Sequence, residues 1–132
     1  GEFIVDVACS LAFNLRQRHL VMVENQGAIA NLPDDAMVEV PAYITAHGPE
    51  PVRMGAVPLF YQTLLMQQLA SEQLLVEATL EGSYEKALQA FTLNRTVPTM
   101  AHAQAILDEM IIANEAYWPQ LQRAWQKREA TR

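Results

Sequence analysis

After Pro58 the chain changes character, because proline and glycine become sparse and apolar residues take up helical spacing. No proline or glycine interrupts residues 59–81, and an uninterrupted stretch of this length is typical of one long α-helix. The helix is expected to end near Gly82, since glycine readily adopts the left-handed conformation that closes helices. The apolar residues at helical spacing are Phe60, Leu64, Leu65, Leu69, Val76 and Leu80.

Capping residues predict two further helices behind the long one. Ser83 can cap a helix over residues 84–94, because its hydroxyl can accept a hydrogen bond from a backbone N–H of the first turn. Thr99 can cap another helix over residues 100–117 in the same way. The second half of the chain is therefore predicted to be helical.

Two shorter helices are predicted towards the ends of the chain. Over residues 3–18, apolar side chains recur at three- and four-residue spacing, which places them on one helical face. Pro119 suits the first turn of a last helix over residues 120–128, where its missing N–H removes no helical hydrogen bond.

The segment between the first helix and the long helix predicts a small antiparallel β-meander. Residues 20–24 and 37–45 are short runs rich in β-branched residues, and glycine-containing turn chemistry follows the first run. Pro41 lacks a donor for the ladder, so the second strand is expected at a sheet edge or at a bulge. Two prolines and a glycine within residues 47–51 predict an irregular loop.

Length and composition fit one α+β domain over residues 1–132, in which long helices pack with the small antiparallel β-meander. Apolar residues make up 51% of the chain, which suits a globular core. A net charge of -6 disfavours nucleic-acid partners, and the apolar runs are far too short to span a membrane. The single cysteine excludes an intramolecular disulfide, so a reducing, cytoplasmic setting is expected.

Residues that commonly carry chemistry are dispersed. His19, His47 and His102 fall on separate predicted elements, and none belongs to a recognised metal-binding spacing. Cys9 lies beside apolar positions of the first helix, where a small buried hydrophobe is commoner than a nucleophile. The glycines are too scattered for a phosphate-binding loop. We therefore predict no catalytic, cofactor-binding or metal-binding residue in this chain.

Residues 25–33 stand out as a candidate site. The segment follows a strand and contains Gly27, which would let the backbone approach a ligand closely. Asn25 and Asn31 carry amides that can bind sugar hydroxyls or backbone groups alike. A plain turn explains this composition as well as a binding site does, and both interpretations stay open.

The same segment carries a resemblance to a known family. The runs VENQGAIANLP at residues 23–33 and ALQAFTLNRTVP at residues 87–98 are similar to the C-terminal part of glycoside hydrolase family 4. Within that family the chain resembles the 6-phospho-α-glucosidases. The resemblance extends in one collinear order over almost the whole chain, through residues 1–6, 37–41, 48–51 and 113–119.

The resemblance implies a cytoplasmic, homo-oligomeric enzyme that hydrolyses phosphorylated disaccharides with NAD and a divalent metal, typically manganese. The family's route oxidises the sugar, eliminates the glycosidic bond, adds water and returns the hydride, and it departs from paired-carboxylate hydrolysis. The implied fold is the C-terminal domain of lactate and malate dehydrogenase-like proteins.

The resemblance also implies what this chain lacks, namely the upstream NAD-binding Rossmann domain and the family's metal ligands and catalytic base. The chain opens at Gly1 without an initiator methionine, so a fragment is expected. Because its glycines are scattered and its cysteine and histidines are dispersed, that fragment is expected to be inactive alone. The residues expected near the sugar are Asn25, Gln26, Gly27 and Asn31. The alternative is a self-contained, non-catalytic helical binding or oligomerisation module.

Overall fold

A computed structural model describes residues 1–131 and contains, within them, five α-helices and three β-strands. Backbone contacts group into two compact units, of which the first ends at Gln62 and the second begins at Thr63. The single domain expected over residues 1–132 stays a prediction, and each unit is described by itself. The elements are α1 (Glu2–Phe13), β1 (Gln17–Glu24), β2 (Met37–Thr45), β3 (Gly48–Pro51), α2 (Leu59–Glu81), α3 (Tyr84–Leu93), α4 (Met100–Ala113) and α5 (Pro119–Glu129).

The first unit is built on an antiparallel sheet with the strand order β1-β2-β3. Val21 of β1 lies opposite Val40 of β2, and Ala42 of β2 lies opposite Pro51 of β3. Alternate residues of β2 are buried, as expected for a strand with one face on the core. Helix α1 contacts β2, and the predicted α+β class with a small antiparallel meander is confirmed.

The first helix is shorter than predicted, because it ends at Phe13 rather than at residue 18. Asn14 adopts the left-handed conformation with φ 52°, which asparagine tolerates better than most residues, and its N–H donates to the Ser10 carbonyl. The side-chain oxygen of Asn14 also accepts a hydrogen bond of 3.0 Å from the Ala46 N–H. Residues 17–19 therefore extend β1 instead of the helix.

The prediction that Pro41 lies at an edge or a bulge is wrong, since β2 is the central strand. The Pro41 carbonyl accepts a hydrogen bond of 2.8 Å from the Val52 N–H, just beyond the end of β3. Because the N–H and C=O of one strand residue point to the same side, the missing Pro41 donor faces the end of the β2–β3 ladder. The β1–β2 ladder loses no hydrogen bond.

The irregular loop predicted at residues 47–51 is also wrong, because residues 48–51 form β3. The Val52 N–H points towards β2, and because backbone groups alternate in direction along a strand, the Glu50 N–H does the same. The nitrogens of Pro49 and Pro51 therefore point to the open edge of β3, where no strand of the described chain needs a donor. Proline is compatible with an edge strand in this orientation.

The second unit is helical, and its helices agree closely with the predictions. Helix α2 occupies the predicted residues, although it begins within the first unit. The hydroxyls of Ser83 and Thr99 accept hydrogen bonds from the N–H groups of Lys86 and His102, which confirms both caps. The core of this unit contains Ala78, Tyr84, Ala87, Leu88, Ala103, Leu107, Ile111 and Leu121.

Helix α4 ends at Ala113, four residues before the predicted end. The backbone N–H and the side-chain amide of Asn114 both donate to the Met110 carbonyl, at 3.0 and 2.8 Å. The asparagine side chain thus competes for a carbonyl at the helix end and closes the last turn. Pro119 begins α5 as predicted.

Candidate functional site

The candidate segment begins with a tight turn at the end of β1. Gln26 and Gly27 both have positive φ, 40° and 80°, and the Ala28 N–H donates to the Asn25 carbonyl at 2.6 Å. Two successive left-handed residues define a type I′ turn, in which glycine is favoured and glutamine is uncommon. Gln26 is therefore held in a conformation that its own side chain disfavours.

The Asn25 side chain is buried, with 1% of its surface exposed, and it organises the loop that follows. Its amide nitrogen lies 3.0 Å from each of three backbone carbonyls, those of Ile29, Leu32 and Pro33. Its oxygen accepts a hydrogen bond of 2.7 Å from the Ile29 N–H. An amide has only two N–H donors, so the loop uses the whole donor capacity of Asn25.

Asn31 is used in a similar way. Its amide nitrogen donates to the Val57 carbonyl and its oxygen accepts from the Val57 N–H, both at 2.9 Å. The Asn31 carbonyl accepts a further hydrogen bond of 2.7 Å from the side chain of Gln62. The Asn31 side chain thus substitutes for a neighbouring strand at Val57, and the Asn31 carbonyl ties the loop to the first turn of α2.

Two backbone hydrogen bonds tie the same loop to the segment after β3. The Met54 N–H donates to the Ala28 carbonyl at 2.7 Å, and the Ala30 N–H donates to the Gly55 carbonyl at 2.9 Å. Ile29 and Gly55 form an isolated parallel bridge. The turn at residues 26–27 is therefore carried on a rigid base.

A shallow cavity of about 180 Å³ opens beside the turn, lined by Asn25, Gln26, Ala28, Pro51 and Arg53. The exposed guanidinium of Arg53 lies 3.5 Å from the Gly27 carbonyl, a distance at the limit of a hydrogen bond. The Gln26 amide nitrogen donates to the Glu24 carboxylate at 2.9 Å. Arg53 was not predicted from the sequence, since no motif marks a lone arginine that comes near the turn only in three dimensions.

Thus the structure brings all four predicted residues into one loop but gives them different surroundings. The amides of Asn25 and Asn31 are bound to backbone, whereas Gln26 is exposed and Gly27 is half-buried. The substrate-binding role of the four residues stays a prediction.

The histidines and the cysteine do not converge. His19 packs edge-on against Phe3, with ring centroids 5.6 Å apart, and the His102 ring lies 2.7 Å from the Thr99 hydroxyl. His47 is exposed, and Cys9 is a half-buried free thiol. Within residues 1–131, no group of three or more His, Cys, Asp or Glu side chains could hold a metal ion. No helix of the described chain is both long and apolar enough to cross a membrane.

Comparison with known proteins decides the family. A model described as the family 4 glycosyl hydrolase C-terminal domain matches residues 1–97. The chain belongs to glycosyl hydrolase family 4. The match covers the whole sheet, the candidate loop and helices α1 to α3, so the segment that carried the resemblance lies within it.

Among curated family 4 relatives, the 6-phospho-α-glucosidase of Leptotrichia buccalis is 48% identical over 121 residues, which cover 92% of this chain and 28% of the relative. A crystal structure of a 6-phospho-α-glucosidase from gut microorganisms, in complex with NAD and glucose-6-phosphate, is 58% identical. It superposes with a TM-score of 0.83 over 89% of this chain and 26% of its own. A second such structure, in complex with NAD and Mn²⁺, is 48% identical with a TM-score of 0.84, over 89% of this chain and 27% of its own.

This family 4 chain therefore spans little more than a quarter of the length of those relatives. Both solved structures are complexes with NAD, and the second also contains Mn²⁺, but the residues described here do not fit either group. The positive-φ glycines 27, 48, 55 and 82 form no glycine-rich turn between a strand and a helix, and the sheet is antiparallel. A metal would need convergent ligands, which residues 1–131 do not supply.

Proposed function

We propose that this chain forms the C-terminal part of an NAD- and divalent-metal-dependent 6-phospho-α-glucosidase, which hydrolyses phosphorylated disaccharides in the cytoplasm. The observation that carries the proposal is the 58% identity, with a TM-score of 0.83, to a 6-phospho-α-glucosidase in complex with NAD and glucose-6-phosphate. Manganese is the proposed metal, because a similar structure contains it.

The oxidation–elimination–addition–reduction route is proposed for the whole enzyme. No residue of this chain is assigned a step in that route, since the described residues fit neither a nicotinamide site nor a metal site. The chain alone is accordingly proposed to be inactive, and its contribution is a folded C-terminal unit that the rest of the enzyme requires. The enzyme is further proposed to be a homo-oligomer.

Within this chain, the candidate loop over residues 25–33 is proposed to face the sugar. Asn25 and Asn31 support this role indirectly, because their amides hold the loop in one conformation. Gln26 and Gly27 are the proposed contact residues, since the Gln26 side chain is exposed and the Gly27 N–H donates no hydrogen bond within the described chain. A turn held on a rigid base can position such groups without rearrangement on binding.

A chimera tests the proposal. The C-terminal region of the Leptotrichia buccalis enzyme that aligns with this chain is replaced by this chain, and cleavage of a chromogenic α-glucoside 6-phosphate is measured with NAD and Mn²⁺. We expect hydrolysis that requires both additions. A matched control uses the corresponding α-glucoside without the phosphate, which should not be cleaved.

A chimera that is folded by circular dichroism and binds NAD, but cleaves neither substrate, would contradict the proposal. Activity on the β-anomer alone would retain the family and reject the α-glucosidase assignment.

A further inference from the structure

Strand β1 leaves one edge of the sheet open along its full length, since β2 is its only strand neighbour within residues 1–131. The hydrogen-bonding direction of each residue follows from Pro41, whose carbonyl faces β3. The backbone N–H and C=O of Val40 then point to β1, and those of its partner Val21 point to β2. By alternation, Arg18, Leu20, Met22 and Glu24 direct their backbone N–H and C=O groups to the open edge.

The side chains of the same four residues share the outer face of the sheet. Leu20 and Met22 are 53% and 65% exposed, although both are apolar. Arg18 and Glu24 flank them, and Arg18 makes no ion pair within the described chain. The strand contains neither proline nor lysine, the residues that commonly protect exposed edges from pairing.

We propose that β1 pairs antiparallel with β1 of a second copy of this chain, with Val21 on the two-fold axis. This inference rests on the homo-oligomer proposed above and assigns its surface. Arg18 then lies opposite Glu24 of the second copy, and Leu20 lies opposite its Met22. Each β1 carries its positive charge three residues before Val21 and its negative charge three residues after it, so the pattern is complementary to itself.

Geometry selects this register. Side chains that lie opposite each other across an antiparallel ladder share a face, so a shift by one residue would place Leu20 and Met22 opposite inner-face residues. A shift by two residues still places outer-face side chains opposite one another, but Arg18 no longer lies opposite Glu24. In the proposed register, every outward backbone group of residues 18–24 has a partner in the second copy. Both Arg18–Glu24 pairs form, and Leu20 contacts Met22.

Disulfide trapping tests the register in a Cys9→Ser background. Val21 and its copy would form a non-hydrogen-bonded pair with Cα atoms about 4.5 Å apart, which suits a disulfide. We expect Val21→Cys to give a covalent dimer under mild oxidation. Val23→Cys is the matched control, because its copies would be about 14 Å apart and should remain reduced.

Edge blocking tests the same surface without cysteine. Leu20→Pro removes an N–H that faces the open edge and leaves the β1–β2 ladder intact, whereas Leu20→Val keeps the donor. By sedimentation, Leu20→Pro should raise the dimer dissociation constant at least about tenfold, and Leu20→Val should leave it nearly unchanged. Circular dichroism confirms that both variants remain folded.

Three results would overturn the inference: a monomeric wild-type chain, equal trapping of Val21→Cys and Val23→Cys, or a folded Leu20→Pro variant that associates like wild type. None of these readouts involves glycosidase activity. Their failure would therefore leave the family 4 function untouched, and an inactive chimera would leave the β1 pairing untouched.

Discussion

Asn31 and Val57 exchange two hydrogen bonds of 2.9 Å, although 26 residues separate them in the chain. The side-chain amide of Asn31 presents a donor and an acceptor side by side, as a strand backbone does. The backbone of Val57 is thereby satisfied without a neighbouring strand, at the point where the chain enters α2. This one side chain links the candidate loop to the segment that leads into α2.

Replacement of Asn31 by leucine should lower the free energy of unfolding by about 1–3 kcal/mol, because it leaves both partly buried Val57 groups without a partner. Urea denaturation measures the change. Asn31→Asp is the control, since it keeps the acceptor and should have an intermediate effect. Equal stability of Asn31→Leu and wild type would show that water replaces the amide fully.

Asn25 and Gln26 should respond in opposite ways to substitution. Asn25→Leu removes the amide that lies within hydrogen-bonding distance of three loop carbonyls and of the Ile29 N–H, and it should lower the unfolding free energy by about 3 kcal/mol or more. Gln26→Ala should change it by less than about 0.5 kcal/mol, since the side chain is exposed. In the chimera, however, Gln26→Ala should raise KM for the phosphorylated substrate, and an unchanged KM would remove Gln26 from the proposed site.

Gly27→Val should be destabilised by about 1–2 kcal/mol, because a β-branched residue is strained at φ 80°. A Cβ at this position would also lie 3.1 Å from the Arg53 guanidinium, which would have to move. Gly27→Asn is the control, since asparagine tolerates the left-handed region. In the chimera Gly27→Val should reduce turnover more than it reduces the folded fraction, and normal kinetics would contradict the proposed sugar contact.

Lys86 gives the second unit a predicted pH dependence. Hydrogen bonds from its ammonium to Glu77 and Glu81, at 2.7 and 2.9 Å, raise the pKa of Lys86 above its ordinary value of 10.5. The stabilisation is complete below pH 10.5 and is lost as the pH rises through the raised pKa. The stability difference between wild type and Lys86→Met should therefore be small, salt-sensitive and constant near neutral pH, and should vanish at strongly alkaline pH. A difference that grows with alkaline pH would contradict this sign.

The isolated chain should not bind NAD in a calorimetric titration, because its glycines do not form a phosphate-binding turn at a helix N-terminus. The chimera serves as the positive control. A saturable heat with the isolated chain would show that part of the cofactor site lies within these residues.

Local chemistry was sufficient for most of the helical unit. Ser83, Thr99 and Pro119 act within one turn of their own positions, so the starts of α3, α4 and α5 could be predicted from sequence alone. The two helix ends that were wrong both involve asparagine. Asn14 and Asn114 can either continue a helix or close it, and their side-chain hydrogen bonds decide between the two.

The β-region needed more than local pattern. Pro41 and the prolines of β3 were interpreted as breakers because proline removes a donor, yet the cost depends on which side of the strand that donor would face. The direction is set by the register between strands, which periodicity does not contain. The candidate loop shows the same limit, since Asn25 and Asn31 could bind sugar or backbone and only their neighbours in space determine which groups they contact.

By itself, then, the sequence determined the α+β class, the helix starts and the family, because periodicity, caps and long collinear similarity are properties of residues along the chain. Tertiary structure alone decided that β2 is central, that the Asn25 and Asn31 side chains are hydrogen-bonded to backbone groups, and that Arg53 lies beside the turn. Each of these depends on partners far away in sequence, such as Val57 for Asn31, and hydrogen bonding between such partners follows from the packed register.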